Sequence, residues 1–156
     1  AFERAIAAYA AINGPRHPVT LGLEGRLGQT LMALRKPAEA RAVFERVMLA
    51  LEATVDERSP FLAQAYANLA DCLLVLGDAA QAIELAERAL VIREALADDP
   101  LQLAEVRWTL GQALWRSSRD RKRAVALVTR ARDDMRVIGD AAYSLPRVER
   151  WLAGER

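Results

Sequence analysis

A recurrence of 42 residues constrains this chain more than any other feature. Phe2-Glu3-Arg4 returns 42 residues later as Phe44-Glu45-Arg46, and Arg88 and Arg130 carry the register on at the same interval. Ala40, Ala82 and Ala124 also keep an interval of 42. The X-Pro steps His17-Pro18, Ser59-Pro60 and Asp99-Pro100 follow at 42 and then 40, and Leu27-Gly28, Leu69-Ala70 and Leu110-Gly111 at 42 and then 41. Registers that agree this closely describe one supersecondary unit laid down repeatedly. Such a unit cannot bury its own apolar face, so neighbours must stack.

Each unit reads as two helices. Pro18, Pro60 and Pro100 fall at first helical positions, where the missing N–H of proline costs nothing. Ser59 and Asp99 before them are good N-caps. The first helices are predicted to end at Ala33-Leu34, Leu76 and Trp115-Arg116. Breaks follow at Arg35-Lys36-Pro37, Gly77-Asp78 and Ser117-Ser118-Arg119-Asp120. Gly77 suits a left-handed stop, and Asp78 with Gln81 makes a capping-box pattern. The second helices carry apolar stripes at helical spacing: Ala40, Val43, Phe44, Val47 and Leu51; Ala82, Leu85, Ala86, Ala89 and Ile92; Ala124, Leu127, Val128, Ala131 and Met135. Gly139 is expected to end the last of them.

The predicted organisation is therefore a half repeat at 1–14, repeats at 18–55, 60–97 and 100–138, and a capping helix at 141–153. Leu145, Val148, Trp151 and Leu152 in that last helix would cover the exposed apolar end of the stack. The expected fold is an all-α antiparallel helix-pair solenoid. Ala, Leu, Arg and Glu dominate and are good helix formers, and 53% hydrophobic residues suffice for a continuous core.

Composition narrows the function. Lys plus Arg number 22 against 21 Asp plus Glu, a formal net charge of +1, which gives no global pull toward nucleic acid or anionic membrane. No run approaches the roughly 20 apolar residues of a membrane span, and the first residues lack the pattern of a secretory signal. Cys72, the only cysteine, cannot form a disulfide within the chain and suits a reducing compartment; a cytoplasmic protein is expected. The chain opens inside a repeat and without Met, so it reads as a piece of something longer. His17 is the only histidine, lies far in sequence from Cys72, and is expected to settle the loop before Pro18 rather than bind zinc. No nucleophile–base pair, metal cluster or phosphate-cradling loop stands out, so neither catalysis nor a cofactor is expected. The acidic pairs Asp56-Glu57, Asp98-Asp99 and Asp133-Asp134 read as caps and solvated charge. The basic run Arg116, Arg119, Arg121, Lys122 and Arg123, broken by Asp120, reads as a solvated turn.

The small-residue pattern resembles the tetratricopeptide repeat. Leu27-Gly28, Ala40 and Phe44 match its first-helix Leu-Gly, its small residue and its second-helix aromatic. Ala70, Ala82, Ala86 and Ala89 match in the second unit, and Gly111, Ala124 and Ala131 in the third. Val47 stands where the family prefers Ala, and Ala86 and Val128 replace the aromatic. The period of 42 exceeds the family's common period of about 34. It resembles, with Gly14-Pro15-Arg16-His17-Pro18, the longer variant of kinesin light chain and its bacterial relatives. HEAT and armadillo repeats share a similar period but not this Gly/Ala spacing. The third unit and cap are similar to the C-terminal tails of large bacterial signalling proteins, serine/threonine kinases among them; no kinase motif is present here. The resemblance implies a right-handed superhelix and a scaffold that docks a protein or peptide.

In such a stack the first helices line the concave side. Counting from the small residue of each first helix gives Arg26, Gln29 and Met32 in the first unit. It gives Gln64, Asn68, Asp71 and Leu74 in the second, and Glu105, Trp108, Thr109, Gln112 and Trp115 in the third. Side-chain amides offer a donor and an acceptor to an extended peptide backbone, and Trp and Arg are enriched at binding hot spots. Asn68 is the sharpest candidate, because relatives in the family hold a peptide backbone with Asn there; the alternative is a solvated polar residue on a helix face. Only Arg26 and Arg116 stand near for a carboxylate clamp, which argues against that activity. Trp108 and Trp115 share a helical face. They form either an aromatic floor for a ligand or, as an apolar stripe usually does, packing beneath the last helix beside Trp151. The unpartnered half repeat is a second surface, open to self-association with another copy.

Overall fold

The computed structural model describes residues 2–97, 99–139 and 141–155; Asp98 of the acidic pair lies outside the described residues. Its order is α1 (Phe2–Asn13), α2 (Pro18–Ala33), α3 (Pro37–Glu52), α4 (Pro60–Leu76), α5 (Ala79–Leu96), α6 (Pro100–Arg116), α7 (Arg121–Ile138) and α8 (Leu145–Leu152). Every regular element among the described residues is a helix.

Local chemistry sets the boundaries. His17 caps α2 through Nδ1, which accepts from the Val19 N–H at 3.3 Å. Ser59 Oγ accepts from the Phe61 N–H at 3.3 Å, and Asp78, Asp99 and Asp120 accept from N–H groups three residues on at 2.8–3.1 Å. These carboxylates also face the positive end of the helix dipole. Gly77 ends α4 at φ +90° and Gly139 ends α7 at φ +74°, a left-handed turn that glycine adopts without a steric penalty. The last helix is shorter than the sequence suggests. Residues 142–144 form a turn, with the Leu145 N–H bonded to the Ala141 carbonyl at 2.9 Å. Pro146 has no N–H to donate, and it belongs in the first turn of a helix starting at Leu145.

Consecutive helices pack side by side, α2 on α3, α4 on α5 and α6 on α7. The first helix α4 also touches α2 on one side and α6 on the other, whereas contacts among α3, α5 and α7 are far sparser. A stack crowded on one side curves toward it, so α2, α4 and α6 form the inner face. The crossings inside each pair depend on matched volumes. A Cβ on Gly28 would lie within 2.8 Å of the Phe44 ring, and one on Gly111 would lie 3.1 Å from the Ala124 carbonyl and closer still to Val128. In the second unit the aromatic position holds Ala86, and Ala70 replaces glycine with both fully buried. A large residue on one helix is thus met by glycine on the other, and a small one by alanine, which keeps the interior at close-packed density.

One core runs from Leu21 through α3, α4, α5 and α6. A second gathers Trp108, Val128, Met135, Val148 and Trp151 at the C-terminal end. Cys72 is fully buried and donates to the Pro37 carbonyl at 3.2 Å; burial pushes its thiol up to about 11, so it stays protonated near neutrality. No helix among the described residues is long and apolar enough to cross a membrane.

Candidate functional site

The inner face holds a cleft of about 930 Å³. Of the residues that the sequence marks as groove-facing, Gln29, Met32, Asp71, Leu74, Glu105, Trp108, Thr109 and Gln112 line it together. They come from α2, α4 and α6, and three successive helices can bring them together because units at this period place equivalent turns side by side.

Arg26, Gln64, Asn68 and Trp115 are not in that lining. Arg26 is exposed. Asn68 is half-buried and engaged. Its Oδ1 accepts from Gln29 Nε2 and from Gln64 Nε2, each at 3.0 Å, and Gln64 Oε1 accepts from Arg93 Nη2 at 3.1 Å. These amides form a ladder that holds Gln29, at the cleft edge, against α4. Asn68 Nδ2 makes no hydrogen bond among the described residues. The tryptophans pack: Trp151 stands edge-on to Trp108 at 5.9 Å and to Trp115 at 5.4 Å between centroids. Trp108 is 7% exposed, so it offers the cleft an edge of its ring, not an open aromatic floor.

The floor is acidic. Thr109 Oγ1 donates to Asp71 Oδ1 across α4 and α6, and Ser144 Oγ donates to Glu105 Oε1 at 3.2 Å. Burial among these helices pushes the Asp71 carboxyl up to about 6, against the opposing hydrogen bond from Thr109. By surface area Asp71 is nevertheless exposed along the open cleft, and that solvent works against the shift. Burial raises Glu105 as well.

Arg35, Arg116, Tyr143, Ser144 and Arg147 complete the walls. Of these, the sequence marks Arg116 as a weak clamp candidate and part of a solvated basic run, and Arg35 only as part of a helix break. Arg116 instead reaches across the groove and donates to the Leu74 carbonyl at 2.8 Å. Within the same run, Arg121 lies over Trp115 at 4.9 Å and Arg123 pairs with Glu87. Tyr143, Ser144 and Arg147 reach the cleft because the C-terminal segment folds back on α6. Treating that segment only as a cap left its inward side unread. Among the described residues no group of three or more His, Cys, Asp or Glu could hold a metal ion.

A tetratricopeptide repeat family model matches residues 20–95 and again 61–136. No curated protein matches the chain. Among solved structures it is similar to BtubC (BKLC) from P. vanneervenii, with a TM-score of 0.72, 25% identity, and coverage of 89% of this chain and 56% of that one. It is also similar to a Podosopora anserina protein described as a kinesin light chain with nearly identical TPR-like repeats, with a TM-score of 0.70, 20% identity, and coverage of 86% and 64%. The N-terminal domain of stress-induced protein-1 from C. elegans shares the fold at a TM-score of 0.58 and 16% identity, over 85% of this chain and 96% of that one. The chain thus spans little more than half the length of the first of these proteins and under two thirds of the second.

Proposed function

We propose that this chain, which belongs to the tetratricopeptide repeat family, holds a segment of a partner protein in the cleft of its inner face. Repeats of this family are scaffolds for contact between proteins. The observation that carries the finer reading is the cleft itself: about 930 Å³ spanning three successive first helices, with amide, hydroxyl, carboxylate and guanidinium groups along one path. An extended peptide needs donors and acceptors at intervals along its backbone. Gln29 and Gln112 supply them, and the edge of Trp108 supplies apolar contact. The chemistry of the lining is recognition, not catalysis.

Selection of peptides from a random unphosphorylated displayed library against the immobilised chain tests this. Selected peptides are expected to lose about tenfold in affinity with Gln29→Ala and with Gln112→Ala, the scale of one good interface side chain, with unchanged melting temperature. Affinity unchanged in both variants would remove the cleft as the docking site.

A second reading is favoured by α1, which presents Ile12 and Tyr9 to solvent: two copies would pack α1 against α1. Light scattering over a range of concentrations tests it, and a monomer at high concentration rejects it.

A further inference from the structure

We propose that the end of the cleft between α6 and α8 receives a phosphoryl group carried on a side chain of the docked segment. The proposal rests on the docking reading above and assigns the chemistry of one subsite. The cleft continues past Trp108 and Gln112 into a recess of about 260 Å³. Arg116, Arg147 and Arg150 all line it, and Glu155 is the one carboxylate among its described walls.

These three arginines differ from those that the fold pairs with acids. Arg41, Arg46, Arg88, Arg107, Arg123, Arg130, Arg132 and Arg136 each sit within 4 Å of a carboxylate oxygen. Arg116, Arg147 and Arg150 make no ion pair among the described residues. Arg16, Arg26, Arg35, Arg58, Arg119 and Arg121 also lack an ion pair among the described residues, but only Arg116, Arg147 and Arg150 gather around one recess.

Charge then selects the guest. Among its described walls the recess sets three guanidiniums against one carboxylate, with Asp71 near enough to feel the charge of Arg147, and a phosphoryl group carries about 1.5 to 2 negative charges at neutral pH with three acceptor oxygens. A carboxylate offers less charge and only two oxygens to three guanidiniums. The donors are also held in place. Arg116 is anchored through Nη1 to the Leu74 carbonyl at 2.8 Å, and Arg147 lies over the Tyr143 ring at 5.4 Å. Stacking fixes the plane of a guanidinium and leaves its N–H edge for oxyanions. Deeper in the cleft, Asp71 and Glu105 would repel an anion, which confines the phosphoryl group to the α8 end.

Calorimetric titration of the full chain with an N-acetylated, C-amidated pentapeptide of phosphoserine flanked by alanines tests the proposal, beside its serine and glutamate counterparts. The phosphoserine peptide is expected to bind at least about tenfold more tightly than the glutamate peptide. Arg147→Ala and Arg150→Ala are each expected to remove most of that preference without changing the melting temperature. Arg147→Lys, which keeps the charge and loses the fork, should retain only part of it. Equal binding of the glutamate peptide would overturn the proposal in favour of a plainly acidic segment. It is also overturned by no heat at millimolar phosphoserine peptide, or by a preference that survives both alanine variants. If those failures occur while library-selected unphosphorylated peptides still depend on Gln29 and Gln112, the docking reading stands and the phosphoryl subsite does not.

Discussion

The two ends of the stack solve the same problem in opposite ways. α1 has twelve residues, nine of them apolar, yet no described side chain in it is buried; Ile12 is 81% exposed and Tyr9 45%. α8 has eight residues and fully buries Val148, with Trp151 at 6% exposure. Good helix formers fill α1, but alanines bring little area to an interface. α8 carries one large ring that wedges against Trp108 and Trp115, a bond from Ser144 to Glu105, and an ion pair between Arg136 and Glu149. The lesson is that helix length and propensity do not decide how firmly an end is held. Side-chain volume delivered to the adjacent unit does.

That comparison is broken most directly at Trp151. Trp151→Ala should cost about 3–5 kcal/mol, the usual loss for a buried tryptophan, read as a lower urea midpoint. It should also raise exposure of Trp108 and Trp115, read by fluorescence quenching. A loss below about 1 kcal/mol would mean that the C-terminal end is held by something other than this ring.

The contrast also marks what a sequence reveals. The helix pairs, their caps and their buried stripes follow from short-range chemistry: a proline that can stand only in a first turn, Gly77 and Gly139 in left-handed turns, an aspartate three residues ahead of an N–H. The volume match of Gly28 with Phe44 was visible as a pattern, because the same offset recurs. The cleft was legible only where a residue's helical phase suffices to place it, as for Asp71, Leu74 and Gln112. It failed where a side chain chooses among neighbours. Asn68 has the right phase, but its oxygen is engaged by Gln29, thirty-nine residues away, and no periodicity encodes that choice. Arg147 and Tyr143 depend on how the C-terminal segment turns back at residues 142–144, so their place in the cleft follows from tertiary packing alone.

The cleft also carries a pH dependence, and its sign follows from Asp71 on α4. Burial raises the folded-state carboxyl from 3.8 to about 6, so the protonated form is favoured on folding. Stability is then greatest below the unfolded value and falls as pH rises through the window from about 4 to about 6. Solvent along the cleft screens the charge, which limits the loss to at most about 1 kcal/mol. Asp71→Asn keeps an acceptor for Thr109 and removes the titration. It should therefore raise the melting temperature at pH 7 and leave it unchanged near pH 4. Glu105, raised in the same direction, would account for any slope that remains. An equal gain at both pH values would show that the carboxylate's charge is not what the fold opposes.

The smallest expected effect lies at the other end and is the most informative about it. Ile12→Glu places a charge where 81% of the isoleucine already faces water, so an isolated chain should change by no more than about 0.5 kcal/mol, as exposed substitutions do. The measurement is a pair of melting curves at low and high protein concentration. Overlapping wild-type and Ile12→Glu curves at both concentrations would sharpen the contrast between a bare helix and an anchored one. A wild-type curve that rises with concentration while the variant's does not would break it. Concentration dependence of that kind is the mass-action mark of association, and the apolar side of α1 would then be a surface covered by a second copy.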